Sequence, residues 1–566
     1  MYPGQKEIFM SATHQPIIPH GPVPSPAQLA YHQDELAAFI HFGPNTFNDR
    51  EWGTGTESPE DFNPSDFDAD QWVRVLKETG FKRLILVLKH HDGFVLYPSA
   101  YTDHSVKASP WRQGQGDVLA EVSAAANRYH LPLGFYLSPW DAHHPDYHVD
   151  RQEAYNDYYF KQLQELFENP AYGYQGRFVE VWLDGARGEG AQAVTYDFKR
   201  WFDYIESQGY PVAIFSTEPT ALRWVGNERG YGGDPLWQKV KADRLRQGDI
   251  DYLNHGDPEG VLYSLAEVDV SIRQGWFYHD SQQPKTVAEL MDIYLHSVGK
   301  GSPLLLNIPP DRRGQFAEAD IEVLRDFQLA RQALYETNYL AGGQILDSSG
   351  QSQNQLLDQS GLWQASVCHD NVLELVLPQV ASLDLVQIQE AIQYGQRVSA
   401  FHIDYLDQAG QWQPFAQGQT LGYRRLVKGP LVQSQRLRLV LDQAQATPIL
   451  SGLAVYRWPD QVKVQQASNE VVFGQACYEG VKGQPLTVTL LRQGDLSQAL
   501  KVKIATEPGT GVHGRVYEDA QYQVNFEARQ EVAQIQVPSL YYAQDQEHDF
   551  YLRILPDGPK TRLLVQ

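Results

Sequence analysis

The segment VEVWLDGA, residues 179–186, is a run of apolar and branched residues that ends on a carboxylate, Asp184. A strand buried on both faces is expected to be apolar throughout, so an acid at its end indicates a chemical role. Two carboxyl groups, one ionised and one with a raised pKa, can perform nucleophilic and general acid–base catalysis. The candidates for the second carboxyl group are Glu51, Glu218, Glu228 and Glu267. A strand-end position favours Glu218 and a loop position beside Trp224 favours Glu228, and the spacing does not decide between them.

Polar and aromatic side chains also gather where other short apolar runs end. They are His41, Glu51, Trp52, His90, His91, Asp92, Tyr136, Trp140, Trp182, Glu218, Trp224, Glu228, Trp276, Tyr278 and Asn307. A metal site would need His, Asp and Glu with little aromatic lining, whereas these polar groups have Trp or Tyr nearby. Neutral imidazoles can hydrogen-bond sugar hydroxyls, and aromatic rings can stack on the apolar faces of sugars.

Carboxylates among tryptophans therefore predict glycoside hydrolysis, with Asp184 as the nucleophile. The small residues Gly185 and Ala186 beside it would let a substrate approach. Structural roles are the alternative: Asp184 capping the next helix, or one of the two adjacent histidines capping a strand.

The elements that must position these residues alternate between apolar runs and amphipathic segments from about residue 35 to 340. Buried strands separated by helices indicate parallel βα units, and seven or eight of them suit a TIM-like (β/α)8 barrel. An open doubly wound sheet is the alternative, disfavoured because no glycine-rich phosphate loop follows the first strand. The predicted strands are AAFIHFG, RLILVLKHHDGF, LPLGFYLSPW, RFVEVWLDGA, YPVAIFSTEP, RQGWFYH and SPLLLNIPP.

Two intervening segments show clear helical signals. In DADQWVRVLKETG the side chains of Trp72, Val75 and Leu76 share one helical face, Asp68 can cap the start, and Gly80 can end the helix. The segment GDVLAEVSAAANRYH repeats this scheme with its own apolar stripe. Both segments support a barrel in which helices cover the strands.

After about residue 342 the pattern changes to alternating apolar and polar residues with polar turns, which predicts β-sandwiches. The chain is therefore predicted to be multidomain: a (β/α)8 barrel followed by two all-β sandwich domains. The predicted boundaries are residues 1–342 for the catalytic barrel, 343–460 for the first sandwich and 461–566 for a smaller immunoglobulin-like sandwich.

Composition narrows the class of function. The net charge of −24, spread along the chain, argues against nucleic acid or an anionic membrane as a partner. The only cysteines, Cys368 and Cys477, are too few and too far apart for a disulfide framework. The first residues lack the apolar core of a secretion signal, so a cytoplasmic location is expected unless a leader was trimmed. Oligomeric state is not predicted.

Seven motifs, in this order along residues 15–340, resemble the α-L-fucosidases of glycoside hydrolase family 29. They are IHFGPNTFNDREWG, LVLKHHDGF, YLSPWD, VWLDGA, RWVGNE, AEVDVSIRQGWFYH and LLLNIPPDRRG. Residues 345–460 resemble a discoidin-like sandwich, for which a structural role is expected, and the last hundred residues resemble a Calx-β sandwich.

The family resemblance implies a role for each matching residue. Asp184 would be the nucleophile and Glu228, the acid of RWVGNE, the acid/base, which departs from the strand-end preference for Glu218. The mechanism implied is double displacement with retention, without metal or organic cofactor. The fucose pocket would consist of His41, Glu51, Trp52, His90, His91, Tyr136, Trp182 and Trp276.

The motifs RWVGNE and AEVDVSIRQGWFYH look most like the subgroup that removes α-1,3- and α-1,4-linked fucose from branched, Lewis-type oligosaccharides. In that subgroup a galactose pocket is expected near residues 141–144 and 255–259. Three alternatives remain: a broad-specificity α-fucosidase, a transfucosidase that uses the same residues, and a non-catalytic fucose-binding protein.

Overall fold

The computed structural model describes residues 17–565 except 189–192, 247–248, 366–370, 460–469, 475–476, 482, 494–498, 509–515, 528–529, 531, 541–547 and 556–559. Cys368 lies outside the described residues, so the expected absence of a disulfide stays a prediction. By compactness the chain divides into two units, Met1–Pro459 and Asp460–Gln566.

Eight parallel strands close into a barrel at the start of the first unit. The order around the barrel is β1-β2-β3-β4-β5-β6-β9-β10, and β7 and β8 form a separate two-stranded ribbon. The strands are β1 (Leu36–Ile40), β2 (Arg83–Lys89), β3 (Leu133–Leu137), β4 (Glu180–Leu183), β5 (Ala213–Ser216), β6 (Leu222–Trp224), β7 (Lys239–Val240), β8 (Leu262–Tyr263), β9 (Leu265–Ser271) and β10 (Leu304–Asn307). The predicted barrel fold is confirmed.

Helices lie in most of the connections between the strands. They are α1 (Pro26–Asp34), α2 (Pro44–Asn48), α3 (Ala69–Glu78), α4 (Val118–Tyr129), α5 (Gln152–Glu168), α6 (Phe198–Glu206), α7 (Ala242–Arg246), α8 (Ile250–His255), α9 (Val287–His296) and α10 (Glu318–Glu336). Helix α3 begins as predicted, because the Asp68 side chain accepts a hydrogen bond from Gln71 N. Its stripe of Trp72, Val75 and Leu76 is buried. Helix α4 begins in the same way, because the Asp117 side chain accepts a hydrogen bond from Ala120 N.

Two strand assignments from the sequence are wrong. The run RQGWFYH is a loop that follows β9, so Trp276 and Tyr278 lie in a loop and not on a strand. Trp224 ends strand β6 and does not lie in the loop after the fifth strand. Strand β6 has no continuous apolar run because Arg223 occupies its centre; the buried guanidinium donates to the carbonyl groups of Trp237, Leu253 and Ser264.

The first unit continues into a seven-stranded antiparallel sheet, here called the first sandwich. Its strands are β11 (Gln344–Asp347), β12 (Trp363–Gln364), β13 (Val372–Glu390), β14 (Val398–Leu406), β15 (Trp412–Gln419), β16 (Arg425–Ala444) and β17 (Ile449–Tyr456). Strand β13 is long, and its pairing with β16 is irregular between Val376 and Ala381. The strands enclose an apolar core that includes Leu375, Ile388 and Leu439.

The second unit contains two sheets that share one apolar core, which includes Val488, Phe526 and Leu552. One sheet has the order β18-β20-β23 and the other β19-β25-β24-β21-β22. The strands are β18 (Glu470–Phe473), β19 (Cys477–Gly480), β20 (Leu486–Gln493), β21 (Leu500–Pro508), β22 (Gln521–Phe526), β23 (Val532–Val537), β24 (His548–Ile554) and β25 (Lys560–Val565). Across the part of the chain that the structure describes, no helix is both long and apolar enough to span a membrane.

Candidate active site

Asp184 follows β4 directly and lies at the C-terminal end of the barrel, where (β/α)8 enzymes form their active sites. Its Oδ2 accepts a hydrogen bond from Tyr136 Oη at 3.0 Å, and its Oδ1 accepts one from Ala186 N at 2.9 Å. Burial raises the pKa of Tyr136 well above its ordinary value, and the charge of Asp184 adds to that rise, so the phenol remains a hydrogen-bond donor. The carboxylate is held in a single orientation with 30% of its side chain exposed.

His91 stands next to this carboxylate as a neutral imidazole. Its Nδ1 lies 2.8 Å from Ser138 Oγ, which itself donates to Trp140 O, so the proton between the first pair belongs to His91. Burial lowers the pKa of His91 against the opposing charge of Asp184. The free Nε2 lies 3.8 Å from Asp184 Oδ2, a gap that leaves room for a ligand hydroxyl.

His41 is a second hydrogen-bond acceptor that faces the same space. Asn307 Nδ2 donates to Trp276 O and Ser271 Oγ, so Asn307 Oδ1 accepts from His41 Nδ1 at 2.9 Å. This arrangement places the His41 proton on Nδ1 and leaves Nε2 with a free lone pair. Burial lowers the pKa of His41 to about 3, and the ring stays neutral.

His90 lies between these two histidines, with its ring centre 5.6 Å from that of His41 and 4.2 Å from that of His91. Burial lowers its pKa well below the ordinary value, and the two neighbouring imidazoles lower it further. Three neutral histidines therefore line one side of the pocket.

Glu51 is held on the opposite side by two donors. Its Oε2 accepts from Trp276 N at 2.7 Å, and its Oε1 lies 2.5 Å from His279 Nε2. His279 Nδ1 is 2.7 Å from Asp49 Oδ1, so the imidazole bridges two carboxylates. Burial alone would lower the pKa of His279, but the hydrogen bonds to Asp49 and Glu51 raise it. A Cβ at Gly275 would lie 2.0 Å from Glu51 Oε1, so a larger residue there would displace the Glu51 carboxylate.

Replacing His279 with leucine is expected to lower kcat/KM about ten- to a hundredfold, because a hydrogen bond to a charged group contributes about 1.5–3 kcal/mol. The loss should fall mainly on KM, since Glu51 would retain its charge but lose its orientation. Steady-state kinetics measure this split. His402→Leu is the matched control: His402 also lies between two carboxylates, Asp442 and Asp404, but in the first sandwich. Equal losses in both variants would contradict the positioning role.

Glu228 lies in the loop after β6, and its Oε2 accepts a hydrogen bond from Trp276 Nε1 at 3.1 Å. Glu228 is exposed as a whole residue, but the surrounding protein partly desolvates its carboxyl group. This loss of hydration raises the pKa of Glu228; the bond from Trp276 opposes the rise, and the negative charges of Asp184 and Glu51 add to it. The negative charges of Asp184 and Glu51 are therefore close enough to influence the protonation of Glu228.

The other two candidate acids lie elsewhere. Glu218 forms an ion pair with Arg246 of α7 at 2.7 Å. Glu267 is buried inside the barrel, where its two oxygens accept hydrogen bonds from Tyr31 Oη and Trp182 Nε1, both at 2.6 Å. Among the described hydrogen bonds, the one from Trp182 to Glu267 is the single link between these two carboxyl groups and the pocket wall.

Trp182 forms the floor of the pocket. Its ring stacks on Phe215 with centres 3.4 Å apart, and its nitrogen is fixed by Glu267. Beneath it Arg83 donates to Glu180 at 3.0 Å, and burial together with the charge of Glu267 raises the pKa of Glu180 well above its ordinary value. A buried polar network thus holds the aromatic floor in place.

Trp52 stands at the rim of the pocket, with 62% of its surface exposed. It meets His91 and Trp140 edge-on, with ring centres 5.9 Å away in each case. An exposed indole supported by a second one provides a platform on which a sugar ring can stack.

Sequence reasoning missed His279, Asp49 and Ser138, which orient Glu51 and His91. The motif that contains Tyr278-His279-Asp280 offered a signal, because three consecutive polar residues are unusual in a predicted strand. Within the described ranges no group of three or more His, Cys, Asp or Glu side chains is arranged to hold a metal ion.

Two carboxyl groups in different electrostatic environments at the C-terminal end of a (β/α)8 barrel are typical of glycoside hydrolases. Comparison with known proteins agrees with this class. The family model described as alpha-L-fucosidase matches residues 25–328. The chain belongs to the α-L-fucosidase family and is a hydrolase of α-L-fucosides.

Individual relatives resemble this chain over most of its length. Alpha-L-fucosidase 1 of Arabidopsis thaliana is 40% identical over 453 residues, which are 77% of this chain and 87% of the plant protein. The crystal structure of SpGH29 is 53% identical, with a TM-score of 0.76, over 78% of this chain and 100% of that chain. A Ruminococcus gnavus GH29 fucosidase in complex with fucose is 34% identical, with a TM-score of 0.72, over 79% of this chain and 97% of that chain.

Proposed function

We propose that this α-L-fucosidase retains configuration and removes terminal α-1,3- and α-1,4-linked fucose from branched, Lewis-type oligosaccharides. Asp184 acts as the nucleophile and Glu228 as the acid/base. The observation that carries the mechanism is the contrast between the two groups: Asp184 accepts hydrogen bonds from Tyr136 and Ala186, while burial and the charge of Asp184 raise the pKa of Glu228. The ionised carboxylate of Asp184 is oriented to attack, and the protonated carboxyl group of Glu228 can donate a proton.

In the first step Asp184 attacks the anomeric carbon and forms a fucosyl ester while the glycosidic C–O bond breaks. Glu228 transfers its proton to the departing oxygen, so the leaving sugar emerges as a neutral alcohol. Tyr136 keeps its hydrogen bond to Asp184 Oδ2, which leaves the carboxylate aligned for attack.

In the second step Glu228 takes a proton from water, and the resulting hydroxide displaces Asp184 from the anomeric carbon. Esterification removes the negative charge of Asp184, which is one of the charges that raise the pKa of Glu228. The pKa of Glu228 therefore falls in the intermediate, which suits its change from acid to base.

The pocket contains acceptors for the hydroxyl groups of fucose and an apolar wall for its methyl group. His41 Nε2, His91 Nε2 and the Glu51 carboxylate are acceptors. The rings of Phe39, Trp182 and Trp276 provide the apolar surface. L-Galactose carries a hydroxymethyl group where L-fucose carries a methyl group, so an apolar wall there favours fucose.

The branched-glycan preference has weaker support, from the motifs RWVGNE and AEVDVSIRQGWFYH and from the rim. A branched trisaccharide presents a second sugar beside the fucose. The exposed ring of Trp52, backed by Trp140, offers a surface for that sugar.

Fucose release from a Lewis-type trisaccharide, 2′-fucosyllactose and the fucosyl disaccharide without galactose, measured side by side, tests the specificity. We expect the trisaccharide to react about 5- to 30-fold faster than either other substrate, since one stacked sugar contributes roughly 1–2 kcal/mol. Equal rates on the trisaccharide and the disaccharide would reject the branch preference and leave a broad-specificity α-fucosidase.

A further inference from the structure

The loop that carries Glu228 runs from β6 towards the first sandwich and is tied to it by an ion pair. The carboxylate of Asp234 lies 2.6 Å from Arg425 Nη2 at the start of β16, and its other oxygen accepts from Gln419 N at 3.3 Å. The side chain of Arg425 is almost completely buried. A buried guanidinium paired with a carboxylate holds its partner in a defined place.

Three further hydrogen bonds join the next residues of the loop to the same sheet. Leu236 N donates to Thr420 Oγ1 at 2.9 Å, and Leu236 O accepts from Gln396 Nε2 at 2.9 Å. Gln396 Oε1 in turn accepts from Gln238 N at 2.8 Å. Side chains of the first sandwich therefore pair both backbone groups of Leu236 and the N–H of Gln238.

The short stretch between Glu228 and Asp234 has little freedom to absorb a displacement. The side chain of Asn227 closes the turn around Glu228 by accepting from Arg229 N and donating to Tyr231 O. Gly232 is held through both of its backbone groups, its N–H by His296 O and its carbonyl by Lys300 Nζ. The segment is thus fixed at Asn227 and Gly232 within the barrel and at Asp234 by the first sandwich, and the Asp234 anchor completes the placement of the turn that presents Glu228.

We infer that the first sandwich positions the acid/base of the barrel, and that Arg425 is the residue through which it does so. This inference rests on the proposed role of Glu228. Among the described hydrogen bonds, the Glu228 carboxyl group has one protein donor, Trp276 Nε1, so its placement depends on the backbone of its loop. Displacing a catalytic group by about 1 Å can cost roughly a hundredfold in rate.

Arg424 in the first sandwich provides a matched control for Arg425. Arg424, the neighbour of Arg425, pairs at 3.0 Å with Glu35, which precedes β1 at the end of the barrel opposite the active site. Arg424→Gln and Arg425→Gln thus each break one barrel–sandwich ion pair, but only the second pair lies on the loop of Glu228. Any general loosening of the interface should affect both variants alike.

The test compares an unactivated fucosyl oligosaccharide with an aryl fucoside whose good leaving group needs no proton. Arg425→Gln is expected to lower kcat/KM on the oligosaccharide at least ~10-fold and on the aryl fucoside less than about twofold, because acid catalysis alone is impaired. Asp234→Asn should reproduce this split, Arg425→Lys should recover part of the loss, and Arg424→Gln should show no split. Thermal unfolding of each variant verifies that it is folded.

Equal losses on both substrates in Arg425→Gln and Asp234→Asn, or no loss in either, would overturn the inference. If Arg425→Gln does not fold, Asp234→Asn decides, since it removes the charge with almost no change in shape. Glu228→Ala is measured in parallel. If Glu228→Ala loses more activity on the oligosaccharide than on the aryl fucoside, but the Arg425 and Asp234 variants do not, only the positioning role is rejected. If Glu228→Ala loses equally on both substrates, the proposed acid is rejected.

Discussion

Asp184→Ala should lower turnover of every α-L-fucoside by about ten-thousandfold or more, because Asp184 is the group that we propose forms the fucosyl ester. The loss should be the same for activated and unactivated substrates, since both react through nucleophilic attack on the anomeric carbon. Folding should be unaffected, because the side chain is partly exposed at the catalytic end of the barrel and forms no ion pair with a permanent cation among the described residues. Steady-state rates and thermal unfolding measure the two effects.

Added azide identifies the role of Asp184 by stereochemistry. In the cavity left by the alanine, azide can attack the anomeric carbon directly, and one displacement inverts the configuration to give β-fucosyl azide. The matched control is Asp197→Asn, which changes the capping residue of α6 in the same βα unit. A variant at Asp184 that keeps more than about a tenth of the wild-type rate would contradict its assignment as nucleophile.

The barrel could be predicted from sequence because its strongest signals are local. Capping aspartates at Asp68 and Asp117 and the apolar stripes behind them define α3 and α4. Strand β6 could not be predicted in this way, because it has three residues and Arg223 at its centre. The bonds that make a buried arginine acceptable come from carbonyl groups 14, 30 and 41 positions away in the chain.

The candidate site shows the same division between local and distant signals. Asp184 could be proposed from its own strand, because an acid after a buried apolar run is conspicuous. The choice between Glu218 and Glu228 depends on their partners, Arg246 and Trp276, which lie 28 and 48 positions away. The run RQGWFYH is predicted as a strand because aromatic residues are common in strands. In the structure it is a loop, and the aromatic ring of Trp276 lines the pocket beside His41.

Glu228→Ala should divide substrates by leaving group. An oligosaccharide needs a proton on its departing oxygen and should lose about a hundred- to ten-thousandfold in kcat/KM, while an activated aryl fucoside should be spared in the first step. Added azide should restore turnover of the aryl fucoside and give α-fucosyl azide, because two displacements retain configuration. Glu218→Ala is the control, since its carboxylate pairs with Arg246. The reverse pattern would assign the acid to Glu218.

The pH dependence of the wild-type enzyme follows from the same residue. In the proposed mechanism the first step needs protonated Glu228. Its raised pKa keeps the proton in place to higher pH, so kcat/KM on the oligosaccharide should fall as the pH rises through that pKa. Hydrolysis of the fucosyl ester needs ionised Glu228 and should slow as the pH falls. Because Asp184 is neutral in the ester, this second transition should lie below the first. Pre-steady-state rates of the two steps across pH measure both, and coincident transitions would contradict the coupling between Asp184 and Glu228.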